Sequence, residues 1–212
     1  MSFVTTLTFV KKNHETDDIY TFSFSTDQPR TYKAGQHGLF VLPGLYRPHP
    51  FSLSSSPDEP SITFSTHTAT GSAFKNKLMR LKAGQKMFLF GPIMNFTFAE
   101  ATPKHVFLAQ GIGITPFRSM LVHARTAKLP LKTTLIHVDS KAHAFKNTTQ
   151  EHATTAFYPS SSDEFRRIVK QQSANQVFYI SGSPRFVSST KKLLNQMHVP
   201  HASIKTDSFL GY

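Results

Sequence analysis

Val106-Phe107-Leu108-Ala109-Gln110-Gly111-Ile112-Gly113-Ile114-Thr115-Pro116 reads as a short buried strand, a glycine-rich turn and the opening of a helix. Phe117, Met120, Leu121 and Ala124 then fall on one helical face. Gly111 and Gly113 let a ligand approach the backbone, while Thr115 as N-cap and Pro116 at the first helical position present a helix N-terminus that attracts phosphate. The turn is not the common G-x-G-x-x-G fingerprint, because Pro116 stands where the third glycine would be. An ordinary strand–helix turn is the alternative.

Downstream, strands and helices alternate. Leu131 to Val138 reads as a strand, 141–151 as helical or irregular, and Ala153 to Tyr158 as a strand. Ser161 and Glu164 form a capping-box pair ahead of Phe165, Ile168 and Val169. Val177 to Ile180 is a strand, Ser183-Pro184 opens a helix ending near Met197, and Ala202-Ser203-Ile204 is a last strand. This alternation predicts a parallel sheet of βαβ units. Ile180-Ser181-Gly182-Ser183-Pro184 repeats the strand-to-capped-helix pattern, and its pairing with the first turn predicts a crevice at the carboxyl ends of the strands.

Upstream the pattern is β. Phe3 to Val10, Ile19 to Ser25, Leu39 to Leu42, Ile62 to Thr66 and Met87 to Phe90, the last stopped by Gly91-Pro92, are short strands separated by turns, which suggests a small Greek-key barrel or sandwich. The change near 99–104 places the boundary between domains 1–101 and 102–212. Gly71-Ser72 opens a helix whose apolar face is Phe74, Leu78 and Leu81. A plain cap is the simple meaning there, a phosphate-type site the functional one.

Within the β half lies Arg47-Pro48-His49-Pro50-Phe51-Ser52-Leu53-Ser54-Ser55-Ser56-Pro57, with a base, an aromatic ring and four hydroxyls. In a strand, Phe51, Leu53 and Ser55 point one way and Ser52, Ser54 and Ser56 the other. Such a stretch suits a flat polar ring: an aromatic to stack, a hydroxyl for its edge, a base for a phosphate. It also suits an edge strand between prolines. At the C-terminus, Phe209 and Tyr212 either pack loosely at a chain end or cover a flat ring.

The net charge is +12, from 24 Lys and Arg against 12 Asp and Glu, which favours anionic partners. The denser basic groups, Lys75-Lys77-Arg80-Lys82 and Arg166-Arg167-Lys170, read as solvated helix faces. The absence of cysteine excludes disulfides and cysteine-ligated iron–sulfur clusters within the chain. The 11 His show no metal-ligand spacing, so no metal site is expected. Neither a secretory leader pattern at the start nor a run of membrane-spanning length is seen, so a cytoplasmic location is the default expectation.

In their order along the chain, these motifs resemble the ferredoxin–NADP reductase family, and His49-Pro50-Phe51-Ser52 resembles its ferric-reductase and NADPH-oxidase branch. The resemblance implies an FAD-binding β-barrel followed by an NAD(P)-binding α/β domain, with NADPH or NADH passing a hydride to FAD. It places Phe51 on the flavin ring, Ser52 near its hydride-accepting nitrogen, His49 where the family usually has arginine, and Arg47 and Leu53 in the same segment. Pro50 belongs to that motif, and Gly71 and Ser72 match the second flavin segment. Gly111, Gly113, Thr115 and Pro116 match the nicotinamide-nucleotide loop, while Ser181-Gly182 stands at the family's Cys-Gly, beside the nicotinamide. Met94 replaces a glycine in Gly91-Pro92-Ile93-Met94-Asn95-Phe96. Phe209, with Tyr212 second, is the aromatic expected over the flavin; Ser52, Ser181 and Phe209 are the expected catalytic set.

The reading is an NAD(P)H-dependent FAD reductase that passes electrons to a separate acceptor: an acidic redox protein, free flavin or a ferric chelate. A non-catalytic flavin- or nucleotide-binding subunit stays open, supported by His49, Met94 and Ser181. A nucleic-acid-binding barrel would account for the charge but not for the second domain's turns, so no nucleic acid is expected. Between the nucleotides, Asp139 suits a ribose hydroxyl and Lys141 a 2′-phosphate.

Overall fold

A computed structural model of the chain describes residues 4–29, 31–98 and 104–209, leaving aside the side chain of Tyr46. Strands β1 (Val4–Thr16), β2 (Ile19–Ser25), β3 (His37–Leu42), β4 (Leu45–Ser52), β5 (Ile62–His67) and β6 (Lys86–Ile93) form one antiparallel sheet in the order β4-β3-β6-β1-β2-β5. A bridge between Leu53 and Phe64, continued by the Ser54 N–H donating to the Thr63 carbonyl at 2.8 Å, draws the two edges together into a barrel. The edge position of β4 accommodates Pro48 and Pro50, which lack the N–H an inner strand would need. Inside sit Phe22, Phe24, Phe40 and Phe64, all at 0 % exposure.

Helix α1 (Ala73–Met79) covers one end of the barrel, capped by the Ser72 hydroxyl, which accepts the Lys75 N–H. It is shorter than the apolar spacing predicts; Leu81 lies beyond it and still packs against the barrel core. Strand β6 is not stopped at Gly91-Pro92. It continues to Ile93, which pairs with His37 across a register shift that absorbs the proline.

The second unit is a five-stranded parallel sheet in the order β11-β10-β7-β8-β9: β7 (Lys104–Gln110), β8 (Lys132–Val138), β9 (Thr155–Phe157), β10 (Val177–Gly182) and β11 (Ile204–Ser208). Helices α2 (Thr115–Thr126) and α3 (Lys146–His152) pack on one face, α4 (Ser162–Lys170) and α5 (Pro184–Gln196) on the other. Both faces of β7 are buried: Phe107 and Ala109 toward α2, Val106 and Leu108 toward α4 and α5. Strand order reverses between β7 and β10, which puts a ligand crevice beyond their carboxyl ends.

Two local expectations change. Gly111–Ile114 forms a 3₁₀ turn, so Thr115 lies inside α2 rather than capping it, and its hydroxyl donates back to the Ile112 carbonyl at 3.0 Å. Ala202 and Ser203 also form a 3₁₀ turn, and the final strand is Ile204–Ser208, held by residue-by-residue pairing with β10. The expected boundary at 101/102 and the expected role of Tyr212 lie outside the described residues. Phe96, upstream of that boundary, packs with Phe117 and Tyr179 of the second unit.

Candidate functional site

A cavity of about 210 Å³ opens where the two sheets meet. Pro50 and Phe51 at the end of β4, Met94, Ile112 and Phe209 give it flat apolar walls. The ring of Phe51 is fixed by stacking on Phe64 (centroids 4.6 Å, 15°) and on Phe74 (5.8 Å, 26°). Phe209 is held by its N–H, which donates to the Gly182 carbonyl at 3.0 Å.

The polar edge of the cavity comes from both units. Ser52 on β4 and His37 on β3 are 2 % and 3 % exposed, and Ser52 Oγ lies 3.0 Å from His37 Nε2. Asp207 on β11, 2 % exposed, places Oδ2 3.3 Å from the same Nε2, off the line of a hydrogen bond. His37 Nδ1 and Asp207 Oδ2 have no hydrogen-bond partner among the described residues. Such atoms on a cavity edge are free to bond a water or a ligand held there.

Lys75 departs from its cluster, whose Lys77, Arg80 and Lys82 are exposed as expected: it is 4 % exposed and lines the cavity. Burial holds its pKa below the ordinary lysine range, with the charge of Asp18 partly restoring it. His49 stands where the family usually has arginine. Its ring stacks on Phe74 at 3.9 Å, and burial, then Arg47 and Lys75, push its pKa below the usual histidine value. At neutral pH it is therefore an uncharged packing group. Arg47, His49, Leu53, Gly71 and Ser72 are not among the cavity-lining residues, whereas Pro50, Phe51, Ser52, Thr115 and Phe209 are.

A second cavity, about 670 Å³, lies beyond the carboxyl ends of β7, β8 and β10 and shares His67, Ile112 and Phe209 with the first. Gly111 (φ +53°), Gly182, Ser183 and Pro184 line it. The Ser183 hydroxyl caps α5 and donates to Gln110 Oε1 at 2.6 Å, which ties the two turns together. Gly113 faces the other way: a Cβ there would stand 2.4 Å from the Ser181 carbonyl oxygen, so the turn packs directly on β10. Ser181 itself is 0 % exposed, lines neither cavity, and its hydroxyl has no partner among the described residues. Pro116 is buried in the first turn of α2. Asp139 and Lys141 both line the second cavity; Asp139 Oδ1 accepts the Lys141 N–H at 3.0 Å. Beneath the turn, His137 Nε2–H donates to the Gly111 carbonyl at 3.0 Å. Burial, with His143 beside it, pushes the pKa of His137 down to about 3.

Next to the first cavity the units are clamped. Arg118 on α2 donates to both carboxylate oxygens of Glu59 and, at 2.9 Å, to the Ser54 carbonyl. The Ser119 hydroxyl donates to the Ser55 carbonyl at 2.6 Å, and His123 Nδ1–H to Asp58 Oδ2 at 2.6 Å. The serine run after Ser52 is thus buried on both sides, not alternating.

Sequence reading missed His37, Lys75, Asp207 and this clamp. A serine inside the apolar face of α2, and two acids at a turn in so basic a chain, are the only local signals for the clamp. Nothing local marks His37.

No family model matches the chain. Among solved structures, the ferredoxin reductase in carbazole 1,9a-dioxygenase superposes with a TM-score of 0.82 at 19 % identity, over 98 % of this chain and 69 % of that one. The flavohem-like FAD/NAD binding domain of nitric oxide dioxygenase from Vibrio cholerae gives 0.74 at 20 % identity, over 97 % and 98 %. The chain has the two-domain ferredoxin–NADP reductase-type fold. Among curated proteins, the glycine betaine monooxygenase reductase subunit of Pseudomonas aeruginosa is 36 % identical over 118 residues, 52 % of this chain and 32 % of that protein. The flavohemoprotein of Bacillus subtilis is 25 % identical over 230 residues, 94 % of this chain and 57 % of that protein. The chain therefore spans about a third to just over half of these two relatives. Among the described residues no helix is long and apolar enough to cross a membrane.

Proposed function

We propose that the chain is an NAD(P)H-dependent FAD reductase delivering electrons to a separate acceptor. The observation that carries this is the cavity between the units, with flat Pro50–Phe51 and Phe209 walls and a buried polar edge on which His37 Nδ1 and Asp207 Oδ2 have no hydrogen-bond partner among the described residues. Those residues fit a flavin: aromatic faces for the ring, Ser52 for a ring-edge atom, and the buried Lys75 for phosphate charge. When bound, FAD supplies a carrier that accepts a hydride and gives up its electrons singly or in pairs. The chain's part is placement. Phe209 borders both cavities, so it would stand between a nicotinamide held at the Gly111 and Gly182–Ser183 turns and the flavin wall.

The names of the curated relatives, a reductase subunit and a flavohemoprotein, support the same reading. With a net charge of +12, an acidic redox protein is the acceptor that fits best. A second reading, a flavin-binding subunit without turnover, draws on Ser181, which is buried away from both cavities.

The test is an absorption spectrum of the purified chain with FAD, followed by anaerobic NADPH and then NADH. Bleaching by one nucleotide supports the reductase. Flavin uptake without bleaching favours the binding subunit, and no uptake overturns both.

A further inference from the structure

Two oxygens stand close to one nitrogen at the cavity edge, one as a hydrogen-bond partner and one as a nearby charge. Ser52 Oγ is 3.0 Å and Asp207 Oδ2 3.3 Å from His37 Nε2, and all three side chains are more than nine-tenths buried. On the far side of the ring, Nδ1 meets no hydrogen-bond partner among the described residues. Asp207 Oδ2 makes no hydrogen bond to Nε2, but a carboxylate 3.3 Å away disfavours a lone pair there and favours an N–H, which places the ring hydrogen on Nε2. Ser52 then accepts from His37, and its own O–H has no acceptor among the described residues.

We propose that His37, held by Asp207, is a positioning residue that fixes the direction of the Ser52 hydroxyl, so that Ser52 presents a hydrogen-bond donor to an acceptor atom on the edge of the flavin. This rests on the flavin reading above and adds to it a residue pair from opposite units. His37 and Ser52 belong to the barrel and Asp207 to the last strand of the parallel sheet. The polarity of the flavin edge thereby depends on the two units being docked. Without Asp207, the serine could turn its hydrogen toward Nε2 and offer a lone pair instead.

The experiment is a double-mutant cycle on FAD affinity in the full chain. It is read by quenching of flavin fluorescence and by the position of the bound flavin's visible absorption band. S52A and H37L should each weaken FAD roughly tenfold, the worth of one good hydrogen bond. The S52A/H37L double variant should be no weaker than about twofold beyond either single change, because both remove the same bond. H37Q places an amide donor near the Nε2 position and should stay within about threefold of the parent. D207N should move the band in the same direction as H37L. Multiplied losses in the double variant, or H37Q as weak as H37L, overturn the assignment, as does an unmoved band in D207N. If the parent chain binds no FAD, the flavin reading falls and this inference with it; if it binds and the losses multiply, only this inference falls.

Discussion

Breaking the Arg118–Glu59 clamp should loosen the seam between the units, and its size follows from the contacts. Arg118 meets both carboxylate oxygens, Glu59 Oε2 also accepts the Ser56 N–H at 2.7 Å, and the Arg118 and Glu59 side chains are 17 % and 29 % exposed. A charge-assisted bidentate pair of this kind is worth about 2–3 kcal/mol when buried, and partial exposure brings the coupling down to about 1.5–2 kcal/mol. Arg118→Met also loses the Ser54 carbonyl contact and the placement of its guanidinium over Phe145. Those losses are common to both arms of a cycle with Glu59→Gln and cancel. For a chain of this size 1 kcal/mol moves Tm by roughly 2–4 °C. The coupling should therefore appear as about 3–8 °C by which the double variant is less destabilised than the sum of the singles. Thermal unfolding followed by circular dichroism, with urea titration for the free energies, measures it. Additive singles would refute the reasoning, since they would mean the two side chains do not feel each other in solution.

The pKa of His137 is about 3 in the fold against about 6.5 unfolded, so the unfolded chain binds the extra proton between those values. Stability should fall as pH drops through that window, by up to about 1.4 kcal/mol per unit, and H137Q should flatten the slope in urea titrations. Asp58 adds an acid limb: burial raises its pKa, but the His123 and Ser56 hydrogen bonds outweigh that and hold it below 3.8. Its contribution is present above that value and lost as pH falls through the lowered one, and D58N should remove it. Gly113→Ala should destabilise the chain by about 1–3 kcal/mol and weaken nucleotide binding, because its Cβ meets the β10 backbone; unchanged unfolding would contradict the packing. Lys75→Met should weaken FAD roughly tenfold in fluorescence titration, whereas H49Q should change it by less than about threefold. Met94→Gly should leave stability within about 0.5 kcal/mol, relief of the left-handed φ of +60° offsetting the freer unfolded chain, while weakening FAD through loss of a cavity wall.

The architecture was legible because it is written in local periodicity. The alternating β2, the βα turn at Gly111 and the Ser161 and Ser183 caps each depend on neighbours within a few residues, and each stands where the pattern puts it. What escaped depends on partners far along the chain. His37 is 15 residues from Ser52, and the clamp joins residues 59 to 65 positions apart. Lys75 was unreadable for a related reason: on a helix wheel it is polar, and only the docking of α1 over the barrel mouth buries it. Asp207 looked like part of a polar chain end until pairing with β10 set it opposite Ser181.

The three departures from the family pattern have different physical standing. Met94 takes the left-handed backbone, φ +60°, that a glycine adopts without strain, and adds a side chain to the cavity wall. His49 gives up charge, but Lys75 stands in the cavity with a buried ammonium group, so positive charge has moved rather than vanished. Ser181 alone has no counterpart. It is buried beneath the turn it was expected to serve, with Gly113 pressed on its carbonyl, and it lines neither cavity. On the proposed function, the flavin half of the site is furnished by Phe51, Ser52 and Lys75, while the nicotinamide half relies on backbone turns and Phe209. If the proposed function holds, substitutions in the barrel should act on flavin affinity, and those at the glycine turns on the nucleotide.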